Sequence, residues 1–242
     1  MSMKLTIAHL YPDLLNLYGD RGNIACLAQR LKWRDMEAEV VEVMADDEAD
    51  FSKYDIVLLG GGSDKELVTV CEKLKAVQPE FKEYVENGGV VLALCGGYEI
   101  LGKYFTNTEG KKEGLGLLDM HTELGEERMF ANVIMESDLV SMPVVGFTNH
   151  SGRTFIGENK AFAKVSVGYG NEGVNGSEGV SYKNVIGTYL YGPLLPKNPE
   201  VTDWLLTRAL EKKYGEAELS PLDDSVEKAG NKYICKRFAA NK

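Results

Sequence analysis

The string Val90-Val91-Leu92-Ala93-Leu94-Cys95-Gly96-Gly97-Tyr98-Glu99-Ile100-Leu101-Gly102 constrains the fold more than any other part of this chain. Its apolar run, Val90 to Leu94, offers no polar face to water, so the strand it forms must be covered on both sides, as strands of parallel sheets are. The run then meets a cysteine and two glycines and continues with helical spacing. A strand that turns this sharply into a helix has the form of a nucleophile elbow, in which the reactive side chain stands at the sheet edge and glycines remove clashes around it. The free N–H groups at the start of that helix are expected to favour thiolate over thiol at Cys95. A small buried cysteine at a tight connection has the same local pattern, and Cys-Gly-Gly alone does not separate the two readings.

The first half of the chain repeats this alternation. Strands are predicted over Lys4 to Leu10, Glu39 to Met44, Asp55 to Leu59 and Gly89 to Leu94, and helices over Asn23 to Arg34, Asp64 to Ala76 and Pro79 to Glu86. This rhythm specifies an α/β fold with a largely parallel sheet flanked by helices. Ligands of such sheets gather at the carboxyl ends of the strands, where Gly60-Gly61-Gly62 and Cys95 both fall. The amides of Gly61, Gly62 and Gly96 are therefore candidate donors to an oxyanion. From Gly114 to about Leu195 the texture becomes glycine-rich and β-rich, with strands predicted over Ala131 to Met135, Val144 to Thr148, Lys164 to Tyr169 and Val185 to Leu190. A helix over Pro199 to Tyr214 closes a single domain, residues 1–215, and a polar tail, residues 216–242, follows it with its charge favouring exposure.

Composition excludes several functions. Acidic residues outnumber basic ones, 37 to 27, and a formal charge of -10 opposes attraction to nucleic acid or anionic lipid. No apolar run approaches the roughly 20 residues of a membrane helix, and the first residues make no secretory leader, so a cytoplasmic protein is expected. Cys26, Cys71, Cys95 and Cys235 lie far apart without metal-ligand spacing, so no metal site is expected. The segment Gly60 to Lys65 lacks the spacing of a phosphate-binding loop, so the chain shows no ATP site of its own.

Several ordered stretches together resemble the class I (triad) glutamine amidotransferases and, within them, the cobyric acid synthase-like branch. They are Leu15 to Asn23, Leu59 to Asp64, Leu94 to Tyr98, Glu113 to Leu118, Asn149 to Thr154 and Gly187 to Pro193. The match is closer still to the glutaminase subunits of bacterial lipid II isoglutaminyl synthases. The resemblance implies a flavodoxin-like amidotransferase fold and hydrolysis of glutamine through a thioester on Cys95. It also implies transfer of ammonia to a Mur-ligase-like partner in a heterodimer. That partner would use ATP and Mg to activate the α-carboxylate of D-glutamate in the lipid II stem peptide, near the inner face of the membrane, in peptidoglycan synthesis. An arginine at the position of Arg128 binds glutamine in the family, a role suited to a guanidinium fork. On the residues alone, Arg128 beside Glu126 and Glu127 reads as an exposed loop charge.

One departure bears on mechanism. The family carries a histidine, its catalytic base, where this chain has Tyr191, and many members carry an acid where it has Pro193. A phenol of pKa about 10 is protonated at neutral pH and makes a poor base. Three readings of Tyr191 stand open: loss of glutaminase activity, slow turnover by a Cys95 thiolate held at the helix terminus, or a proton relay through His150 or the partner. His9 reads as an ordinary strand-end side chain, and His121 has no motif around it. Two other functions compete: a catalytically silent scaffold for a ligase that takes free ammonia, and a free-standing cysteine hydrolase that needs neither partner nor Arg128.

Overall fold

The computed structural model describes residues 3–17, 19–173, 176–215 and 218–239. Tyr18, within the first resembling stretch, lies outside them, as do Glu216, Ala217 and residues 240–242 of the expected tail. The first half runs β1 (Lys4–Leu10), α1 (Arg21–Lys32), β2 (Glu37–Val43), β3 (Ile56–Leu59), α2 (Asp64–Ala76), α3 (Gln78–Glu86), β4 (Val90–Leu94) and the single-turn α4 (Gly96–Glu99). The second half holds β5 (Tyr104–Asn107), β6 (Gly110–Glu113), β7 (His121–Glu136), β8 (Val144–Phe155), β9 (Ala163–Val167), β10 (Ser177–Glu178), β11 (Val180–Tyr182) and β12 (Val185–Thr188). Helices α5 (Pro199–Tyr214) and α6 (Ser225–Ala239) follow.

The central sheet has the order β11-β12-β4-β3-β1-β2, parallel throughout except for β11, which runs antiparallel to β12. The α/β expectation is met, and β4 lies between β3 and β12. Strand alternation sorts the core onto two faces. Ala8, Leu10, Val57, Leu59, Val91 and Ala93 pack with residues of α2 and α3 such as Leu67, Val70, Leu74 and Phe81. Leu5, Ile7, Ile56, Leu58, Val90 and Leu92 pack with Leu27 and Leu31 of α1 and Leu205 and Leu206 of α5. The second sheet, β10-β9-β7-β5-β6 with β8 on β7, is antiparallel apart from the β5–β7 pair. Its long β7–β8 ladder brings Asn149 and His150 opposite Phe130 and Met129, next to Arg128.

His9 shares the sheet face of Leu5 and Ile7, and neither ring nitrogen of this buried residue has a hydrogen-bond partner among the described residues. Burial, and then the charge of Arg21, lowers its pKa to about 4. Between that value and the ordinary 6.5 the unfolded chain binds a proton that the native protein does not, so this residue's contribution to stability falls as pH falls. On going from pH 7 to pH 4 in urea unfolding, the His9→Leu protein is expected to lose about 3 kcal/mol less stability than its parent. Equal losses would contradict the assignment.

The polar tail adds an element to those expected from the sequence. Its described part contains α6, whose side chains are mostly exposed, while Asn231 of that helix is buried and donates to the Pro143 carbonyl at 2.8 Å. Arg30 of α1 anchors the approach to this helix. Its guanidinium, only 2% exposed, makes a bidentate pair with Asp203 at 2.7 and 2.6 Å and reaches Asp224 at 2.6 Å. Arg34 adds bonds to Asp203 at 2.8 Å and to the Ser220 carbonyl at 2.7 Å. Charges on α1, α5 and the segment before α6 thus neutralise one another where each alone would be costly to bury.

Candidate active site

Strand β4 delivers Cys95 to the carboxyl edge of the sheet. Its N–H donates to the Thr188 carbonyl at 2.9 Å, continuing the ladder one residue beyond β4. The backbone then breaks at φ 51° and ψ -118°, in the left-handed half of conformational space that a non-glycine residue enters only under constraint. Gly97 explains why the next turn can pack so closely. A Cβ there would lie 2.6 Å from both the Leu59 and Gly60 carbonyl oxygens. The elbow therefore sits directly against the end of β3 and the glycine triplet.

Asp20 fixes the triplet from the other side. Its buried carboxylate accepts the Gly61 N–H at 3.1 Å, while Leu17 N–H donates to the Gly61 carbonyl at 3.1 Å. Burial raises the Asp20 pKa to about 6, against the lowering effect of that Gly61 bond. Immediately after the triplet, Ser63 and Glu66 cap α2 reciprocally, with Ser63 N–H on Glu66 Oε2 at 2.8 Å. The three amides expected to serve an oxyanion are thereby sorted. That of Gly61 is engaged by Asp20, whereas Gly62 and Gly96 line the cavity that holds Cys95.

That cavity has a volume of about 230 Å³, and Arg128, Asn149 and His150 form its far wall. Arg128 is not a loose loop charge. Its Nε donates to Asn149 Oδ1 and its Nη2 to the Asn149 carbonyl at 3.3 Å, so the fork is held over the cavity. The same carbonyl accepts the hydroxyl of Tyr191, which is 2% exposed and is not among the residues lining the cavity. His150 stacks face to face on Tyr189, with ring centroids 3.5 Å apart. Its Nδ1 sits 2.9 Å from the Gly152 carbonyl, and its buried Nε2 has no partner among the described residues. Burial lowers the His150 pKa to about 3, with Arg153 and Arg128 adding to the effect against the Gly152 bond.

The electrostatics of Cys95 correct a second expectation. Burial, and after it the nearby Glu99 charge, pushes the thiol above its ordinary pKa, although the Gly96 amide and Arg128 pull the other way. A helix of one turn, Gly96–Glu99, carries too short a stack of peptide dipoles to outweigh that. The thiol form dominates at neutral pH, and a proton acceptor is needed to generate the nucleophile.

Glu99 was missed in the sequence, although a carboxyl one turn after the elbow cysteine is the signal that would have found it. Its N–H donates to the Cys95 carbonyl at 3.1 Å, and its side chain lines the same cavity. Tyr189 Oη donates to Glu99 Oε1 at 3.0 Å. Burial raises the Glu99 pKa to about 7, with the Tyr189 bond opposing it. Asp20 and Asn149 stand inside stretches that the resemblance singled out, but their bonds to Gly61 and to Arg128 exist only in the folded chain.

Residues 6–199 match the CobB/CobQ-like glutamine amidotransferase domain. The chain is 42% identical over 225 residues to subunit GatD of the lipid II isoglutaminyl synthase (glutamine-hydrolyzing) of Staphylococcus aureus strain N315, covering 93% of this chain and 92% of that protein. It is 39% identical to the subunit of the same name from Streptococcus pneumoniae strain ATCC BAA-255 / R6, covering 88% and 83%. A crystal structure of a glutamine amidotransferase superposes with a TM-score of 0.52 at 18% identity, covering 84% of this chain and 98% of that one, a likeness of fold. Fold, sequence and ordered motifs agree, and the chain belongs to the CobB/CobQ-like glutamine amidotransferase family.

Proposed function

We propose that this chain is the glutamine-hydrolysing subunit of a lipid II isoglutaminyl synthase. The observation that carries the reading is the convergence of Cys95 and Arg128 on one cavity, in a chain 42% identical to a subunit of that name. The Arg128 fork binds the α-carboxylate of glutamine, which sets the side-chain carboxamide against Cys95. Attack by sulfur gives a tetrahedral oxyanion, for which the Gly62 and Gly96 amides are the donors. Collapse releases ammonia and leaves a glutamyl thioester, which water hydrolyses. The ammonia passes to a Mur-ligase-like partner, whose ATP and Mg activate the α-carboxylate of D-glutamate in lipid II at the cytoplasmic face of the membrane.

A second reading, a silent scaffold supporting a ligase that uses free ammonia, draws on Tyr191. This residue stands where the family has its base, and its hydroxyl is bonded to the Asn149 carbonyl. Amidation of lipid II by the heterodimer, measured with glutamine and with ammonium side by side, separates the two. Glutamine-supported amidation that disappears in the Cys95→Ser protein while ammonium-supported amidation persists is the expected result. Amidation from ammonium alone in the parent protein favours the scaffold and overturns the leading reading.

A further inference from the structure

We propose that Glu99 is the general base of this site, taking the proton of the Cys95 thiol and returning it to the departing ammonia, the work done in the family by the histidine that Tyr191 replaces. The proposal rests on the glutaminase reading above. Its first support is position. Cys95, which caps the single turn, and Glu99, which ends it, line one cavity.

The second support is the way the carboxylate is held. Tyr189 spends its only proton on Glu99 Oε1 at 3.0 Å, so Thr154 must donate to Tyr189, at 2.6 Å, and Thr122 to Thr154, at 2.7 Å. Three hydroxyls thus form a chain of dipoles that ends on Glu99 and favours its charged form. Glu99 Oε2 has no protein hydrogen bond among the described residues, which leaves that oxygen to receive a proton.

The competing acceptor is His150 at the cavity wall, whose Nε2 is also without a partner among the described residues. Burial distinguishes the two. A buried carboxylate loses its charge when it accepts a proton, whereas a buried imidazole acquires one, here beside Arg128 and Arg153. The directions agree, with Glu99 raised to about 7 and His150 lowered to about 3. The charged or titratable groups around Glu99 are Cys95 and Tyr98 in its own segment, Asp64 of α2, Tyr189 after β12, and Arg128 and His150 across the cavity.

The proton balance closes. Carboxylate takes the thiol proton as sulfur bonds to the carboxamide carbon. The acid then protonates the amide nitrogen as the C–N bond breaks and ammonia leaves. In the second half, carboxylate takes a proton from water as it attacks the thioester, and the acid returns that proton to sulfur as the C–S bond breaks.

The test compares glutamine hydrolysis by the parent, Glu99→Gln, His150→Gln, Tyr191→His and Glu99→Gln/Tyr191→His proteins, each with its partner, alongside Cys95 alkylation by iodoacetamide across pH. Glu99→Gln is expected to lower kcat about 10²-fold with KM nearly unchanged. The same change removes a negative neighbour, so alkylation of Cys95 shifts to lower pH, opposite in sign to the loss of turnover. Tyr191→His is expected to restore hydrolysis in the Glu99→Gln background. The proposal is overturned if Glu99→Gln keeps the parent rate, if its loss lies in KM, if His150→Gln is the variant that loses kcat, or if the parent is inert while Tyr191→His is active. Absence of hydrolysis in every protein, Tyr191→His included, overturns the glutaminase reading itself.

Discussion

The Tyr191→His protein is expected to hydrolyse glutamine about 10²- to 10⁴-fold faster than its parent. The reason lies at the sulfur. Burial and the Glu99 charge hold the Cys95 thiol protonated. A carboxylate can accept the proton, but it becomes neutral in doing so and gives the thiolate no counter-charge. An imidazole becomes a cation on accepting the proton and stabilises the thiolate as an ion pair, which neither Glu99 nor a neutral phenol can do. Tyr191 has its hydroxyl on the Asn149 carbonyl and is not among the residues lining the cavity, so the parent works without that pair. Initial rates of glutamate release with the partner present are the measurement. A Tyr191→His rate no higher than the parent's would contradict the argument.

The second large effect concerns stability. Replacing Arg30 by Met is expected to destabilise the fold by about 3–5 kcal/mol, because Asp203 and Asp224 lose the cation that their partial burial requires. Arg34 still reaches Asp203 at 2.8 Å but makes no bond to Asp224 among those described. The segment before α6 should therefore loosen first, and hydrogen exchange should rise in α6 before it rises in β4. Urea unfolding together with exchange by mass spectrometry checks both parts. A loss below about 1 kcal/mol, the range of a surface pair, would show that the cluster is solvated rather than structural.

How much of this was legible in the sequence depends on how local the cause is. The run Val90 to Leu94 can only be a strand covered on both sides, and the fold places it in the middle of the parallel sheet. The bounds of α2, Asp64–Ala76, and of α5, Pro199–Tyr214, follow from local pattern and match the expectation. Strands β7 and β8 extend well beyond the expected Ala131 to Met135 and Val144 to Thr148, because their added ends carry polar residues such as Glu123, Glu127 and Ser151 that mask the apolar alternation. Helix α6 is absent from the expected elements because its charged, mostly exposed surface carries no clear apolar stripe, and the contact of Arg30 with Asp224 just before it joins distant parts of the chain that no periodicity records.

The site divides in the same way. Cys95 and the glycines announce themselves as an elbow, and Arg128 was singled out only through the resemblance. Protonation is different, since it is set by burial and by neighbours that only the fold assembles. The sequence pointed to a helix terminus that would acidify Cys95, while the fold supplies a single turn, a half-buried cysteine and a carboxyl one turn away. The Gly61 amide, one of three expected oxyanion donors, is taken by an aspartate forty-one positions earlier.

The most direct measurement is labelling by a glutamine analogue that carries an electrophile in place of the carboxamide, followed by peptide mass spectrometry. A single adduct on Cys95, suppressed by excess glutamine, weakened in the Arg128→Ala protein and absent from the Cys95→Ser protein, is the predicted result. Modification of Cys26 or Cys235 with Cys95 left untouched, or labelling of Cys95 that glutamine does not suppress, would contradict the assignment of this cavity to glutamine.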